Sequence, residues 1–81
     1  MKLEANLTVK SKGFKRRGRV TLFPPTTDNY YGSGYYMLVE MEGGSEYNVD
    51  VRYEHTTNIY ELATRWARGY YGDKATVVTV E

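Results

Sequence analysis

The chain has 81 residues, 26% of them charged, with eleven basic and ten acidic side chains and a formal net charge of +1. It has no cysteine, which excludes disulfide staples and thiolate metal sites and leaves no sign of an oxidising compartment. The length fits one small domain over residues 1–81, and a chain this short builds a thin core that a homo-oligomer would supplement. Met1-Lys2-Leu3-Glu4 lacks the apolar run of a signal peptide, and no stretch approaches the length of a membrane span. The expectation is a cytoplasmic protein with no membrane partner.

The small net charge hides an asymmetry. Residues 1–19 hold seven basic side chains against Glu4 alone, a local +6, while residues 20–81 carry nine acids and four bases, a local −5. Tyrosine is the other anomaly. Of nine copies, six fall in the pairs Tyr30-Tyr31, Tyr35-Tyr36 and Tyr70-Tyr71.

In chain order, Leu3, Ala5, Leu7 and Val9 alternate with Lys2, Glu4, Asn6, Thr8 and Lys10, the period-two pattern of a half-buried strand. Ser11 to Gly18 reads as a basic connection, and Arg19 to Phe23 as a second strand stopped by Pro24-Pro25, which cannot donate to a ladder. The two strands form a hairpin with Lys12–Arg17 at its tip. Thr26 to Gly34 reads as a polar loop. A third strand places Tyr35, Met37, Val39 and Met41 on one face and Tyr36, Leu38 and Glu40 on the other.

Gly43-Gly44 returns the chain into a fourth strand, in which Tyr47, Val49, Val51 and Tyr53 alternate with Glu46, Asn48, Asp50, Arg52 and Glu54. A two-residue loop would set Glu40 opposite Tyr47 and separate the apolar faces. A three-residue loop closing Met41 on Ser45 sets Val39 opposite Tyr47 and Met37 opposite Val49, and also Glu40 opposite Glu46. The like-charge pair costs about 0.2–1 kcal/mol. Leaving one large apolar side chain unburied forfeits about 1.5–3 kcal/mol. The three-residue loop with a glycine bulge is therefore expected, leaving Tyr36 and Leu38 on the outer face.

Asn58-Ile59-Tyr60-Glu61 carries the pattern of a capping box. Ile59, Leu62, Ala63, Trp66, Ala67 and Tyr70 then recur on one helical face, with Gly69 as the stop. The last segment, Ala75-Thr76-Val77-Val78-Thr79-Val80, is apolar or threonine on both faces and reads as a central or doubly covered strand. The strand–helix–strand unit before it permits a parallel, right-handed crossover.

Two stretches are candidate binding sites. Lys10, Lys12, Lys15, Arg16, Arg17 and Arg19 put six cations in ten residues around Phe14, a composition suited to a phosphate backbone with a stacking ring. Six neutralised duplex phosphates would give a log–log salt slope of roughly −5. The plain alternative is a solvated hairpin that keeps the protein soluble or pairs with acids of its own chain. Tyr30, Tyr31, Tyr35 and Tyr36, interleaved with Gly32, Ser33 and Gly34, offer large contact area at low entropic cost, which suits a protein contact or base stacking. The alternative there is a loop whose tyrosines cap a thin core.

Tyr70, Tyr71 and Trp66 read as packing residues by their spacing. Glu46, Asp50 and Glu54 repeat along an open sheet face, with no pocket to shift their pKa values. His55 is the one histidine, without a cysteine or second histidine to share a metal. No catalytic constellation, metal site or cofactor motif is legible.

The sequence thus predicts an α+β fold in the order β-β-β-β-α-β, a mostly antiparallel five-stranded sheet with one helix at about residues 59–69 packed on one face. The leading functional expectation is a non-enzymatic interaction module that binds a protein partner through the tyrosine loop and the neighbouring sheet face. The competing one is a nucleic-acid-binding module using the basic hairpin.

Overall fold

The computed structural model describes residues 2–11, 13–25, 34–72 and 77–81. The chain is α+β: β1 (Leu3–Ser11), β2 (Phe14–Phe23), β3 (Tyr36–Met41), β4 (Glu46–Asp50), α1 (Ile59–Tyr71) and β5 (Val77–Val80). The five strands form one sheet in the order β4-β3-β2-β1-β5, every neighbouring pair antiparallel. The helix lies on one face, over β5, β1 and β2.

Period-two alternation sorts the side chains. Ala5, Leu7 and Val9 of β1, Val20 and Leu22 of β2, and Met37, Val39 and Met41 of β3 all point to the helix side and are buried. Ile59, Leu62, Ala63 and Ala67 close the core from above, with Val51 at one end. Trp66, expected in the core, is half-buried at its margin. Among the described residues no helix is long and apolar enough to cross a membrane.

The β3–β4 hairpin has the expected register. Val39 faces Tyr47, Met37 faces Val49 and Glu40 faces Glu46, and the Met41 amide donates to the Ser45 carbonyl at 2.8 Å. Burial of matched apolar faces outweighs the exposed Glu40–Glu46 pair, as the magnitudes require.

The β1–β2 hairpin differs from expectation. Its ladder continues to Ser11 opposite Phe14, so only residues 12 and 13 lie between the strands. The basic stretch is strand rather than connection. Cations satisfy the pleat wherever their face is open to water, and Gly18 is in the ladder for a packing reason. A Cβ there would sit 2.5 Å from the Met41 Sδ and 2.8 Å from the Glu40 carbonyl oxygen, so only glycine lets β3 approach.

The fourth strand is shorter than its alternation suggests. It stops at Asp50 because the Asp50 carboxylate accepts from the Arg52 amide at 3.0 Å and grips its guanidinium at 2.7 Å. The Glu54 amide donates to the Val51 carbonyl in the turn that follows, leaving Tyr53 85% exposed. The helix runs two residues past Gly69 and ends at Gly72, at φ +101°, whose amide donates to the Arg68 carbonyl. At the other end only half of the expected capping box forms. Asn58 Oδ1 accepts from the Tyr60 and Glu61 amides, while the Asn58 amide donates to Thr56 Oγ1 and not to Glu61.

Among the described strands the last is at an edge, paired with β1 alone, and not in the centre. It runs in the same direction as β4 but at the opposite margin, so the two are not adjacent. Val78 and Val80 pack toward the core and Thr79 is exposed, so this strand has one covered face.

Candidate functional site

The register of β1 and β2 divides the basic stretch between two faces. Lys10 pairs with Lys15, Thr8 with Arg17 and Asn6 with Arg19. These side chains share the outer face, opposite the helix, by the alternation that buries Leu7, Val9 and Val20. Thr79 of β5 stands beside Thr8 in the same row. Lys10, Lys15 and Arg17 are exposed, and among the described residues none of them has an ion-pair partner. Arg19 differs. It pairs with Glu4 at 3.3 Å and donates to Asn6 Oδ1, and Glu40 faces it from β3. The outer face therefore carries a patch of three uncompensated cations at the hairpin end, with two threonine hydroxyls beside them. Its β3–β4 corner is acidic, with Glu40 opposite Glu46.

Phe14 and Arg16 project to the helix side. The Phe14 ring lies 5.6 Å from that of Tyr71, and Arg16 is close enough to oppose the rise in the Tyr71 phenol caused by burial. From Tyr71 the aromatic contacts continue to Tyr70 at 4.9 Å, to Trp66 stacked on Tyr70 at 5.2 Å, and to Tyr47 at 5.1 Å from Tyr70. The Tyr47 and Tyr70 hydroxyls are hydrogen-bonded at 2.9 Å. That bond chiefly holds the Tyr70 phenol above its ordinary pKa, because the neutral form is the better hydrogen-bonding partner. Tyr70 was expected to continue the buried stripe, yet it is 54% exposed, and Phe14 is 39% exposed. This shelf was not predicted as a site. Its signal, an aromatic at each end of a helix–strand contact, is indistinguishable in sequence from ordinary packing.

The tyrosine stretch is only partly within the described residues. Tyr30, Tyr31 and Lys12 lie outside them. Tyr35 packs against the core on the helix side, while Tyr36 points to the outer face and stacks on Phe23 at 4.7 Å with an interplanar angle of 13°. Leu38, half-buried, follows on the same face. Lys2 stands 6.0 Å over the Phe23 ring.

Among the described residues the acids do not converge. Glu54 has left the strand and pairs with Arg65 of the helix, and the neighbouring Arg52 guanidinium holds the Asp50 carboxyl below its ordinary pKa. His55 is exposed in the loop before α1. Among the described residues no three His, Cys, Asp or Glu side chains group as a metal site would need. A depression of about 250 Å³ is lined, among the described residues, by Leu3, Leu22, Pro24, Tyr35 and Thr57, none of them a carboxylate, histidine or lysine. No protein-family model, curated protein or solved structure matches this chain.

Proposed function

We propose that this protein is a non-enzymatic binding module whose outer sheet face, at the β1–β2 hairpin, takes the phosphate backbone of a nucleic acid. One observation carries this reading: Lys10, Lys15 and Arg17 share one open face of two paired strands, and no acid among the described residues pairs with them. Strands hold neighbouring cations about 5 Å apart across the ladder, a like-charge arrangement that a polyanion relieves. Thr8 and Thr79 add hydroxyl donors to the same patch. The expected electrostatics are milder than six cations suggest. With three phosphates neutralised, the log–log salt slope is about −2 for a single strand and about −3 for a duplex.

The test is a titration of labelled single- and double-stranded DNA and RNA at two salt concentrations. Binding should weaken with salt and vanish in the Lys10→Gln/Lys15→Gln/Arg17→Gln variant, whose stability should stay within about 0.5 kcal/mol of the parent because all three side chains are exposed. No binding at low salt ends the proposal.

A second reading rests on a different observation. Phe23, Tyr36 and Leu38 form a half-buried apolar strip on the outer face. Such a strip supports a protein contact. In that case a Tyr36→Ser/Leu38→Ser variant loses capture of a protein partner while the hairpin substitutions leave it intact.

A further inference from the structure

The two sides of the hairpin end are joined by an open edge. β3 pairs with β2 only from Gly18 onward, with one further bond from the Glu42 amide to the Arg17 carbonyl. Phe14, Lys15 and Arg16 therefore pair with β1 on one side and with no described strand on the other. Along this edge the side chains alternate. Lys15 and Arg17 face the outer side. Phe14 and Arg16 face the helix side, where the rings of Tyr71, Tyr70 and Trp66 continue the contact. Half of the Tyr70 surface and more than a third of Phe14 remain open to solvent.

From this geometry we infer that the ligand is a single-stranded nucleic acid. It wraps the free edge of β2, with its phosphates on Lys15, Arg17 and Arg16 and its bases against the Phe14–Tyr71–Tyr70 shelf. The inference rests on the basic-face reading above and deepens it. A duplex cannot place bases on the shelf without unpairing them, whereas an unpaired strand presents its base faces freely. Charge complementarity selects a polyanion here over an apolar partner. Arg16 lies beside the rings, and among the described residues no acid pairs with it. Stacking on tyrosine and phenylalanine is tolerant of sequence, so the expected preference is for unpaired over paired strands rather than for one base order.

Trp66 is the only tryptophan of the chain and is stacked on Tyr70 with an interplanar angle of 14°, so it reports directly on the shelf. The experiment follows Trp66 emission while short all-thymine DNA, all-uracil RNA, a duplex of equal phosphate number and inorganic polyphosphate are added at low salt. Either unpaired strand should change the emission, and both should bind more tightly than the duplex. Phe14→Ala should weaken single-strand binding about tenfold and leave polyphosphate binding unchanged, while Phe14→Tyr, which keeps the ring, should retain it. Single-strand binding with unaltered emission, and with no loss in Phe14→Ala, would overturn the shelf and leave the basic-face reading standing. Absence of binding to every polyanion would overturn both.

Discussion

The two faces of this sheet are made from the same residues taken alternately, yet they follow different rules. On the helix side, Leu7, Val9, Val20, Leu22, Met37 and Val39 are each at most 2% exposed, and a packed interior leaves little freedom in volume or shape. On the outer side, Lys10, Lys15, Arg17, Glu40, Glu46 and Asp50 stand in water or in exposed ion pairs. The pleat constrains their direction and leaves their chemistry open. Stability is thus concentrated on one face, and the other is available for recognition. The boundary between them breaks down at the hairpin end, where Phe14 and Arg16 lie on the helix side but outside the core.

Breaking the covered face should have the largest effect. Leu7→Ala should destabilise the fold by about 2–5 kcal/mol, the range for a fully buried leucine truncated in place. On the open face of the same strand, Lys10→Gln should move stability by no more than about 0.5 kcal/mol. Urea midpoints at constant slope measure both. Equal losses would overturn the contrast between the two faces.

The helix offers a smaller and opposite test. Gly69 sits inside α1, and among the described residues nothing lies within 4 Å of a Cβ built on it. Gly69→Ala should stabilise by about 0.5–1 kcal/mol, since alanine loses less backbone entropy than glycine in a helix, and should raise Tm by a few degrees. No gain would mean that helix propensity does not limit stability at this position.

The smallest effect belongs to an exposed ion pair. Arg52 lowers the pKa of Asp50, so the folded state binds that proton less readily than the unfolded chain. The contribution is present above the unfolded carboxylate pKa and is lost as pH falls through the lower, folded value. Arg52→Gln should remove this part of the acid sensitivity, read as convergence of the parent and variant melting curves at low pH. High salt should diminish the difference because the pair is solvent-exposed.

Wherever burial alone decided the outcome, the structure was legible in the sequence. The β3–β4 register followed from matching Met37 with Val49 and Val39 with Tyr47, because burying those side chains outweighs the Glu40–Glu46 repulsion. The Asn58 cap and the face carrying Ile59, Leu62, Ala63 and Ala67 followed from local bonds and from helical period. The basic residues of the candidate site were legible as a cluster. Their partition was not, because it depends on a ladder that continues through residues with no apolar signal.

The rest was settled by contacts between residues far apart in the chain. Gly18 reads as a loop residue until Met41 lies against it. Gly69 reads as a helix stop until Tyr70 and Tyr71 find rings on β4 and β2, at Tyr47 and Phe14, and carry the helix on to Gly72. The segment 75–80 reads as a central strand until its described part, Val77–Val80, proves to have β1 as its one neighbour among the described strands, with the helix over one side of it. Local pattern determines which side chains seek burial and which seek water, because that preference belongs to each residue. Which strand lies at an edge, where a helix ends and which cations remain unpaired depend on partners that only the folded chain brings together.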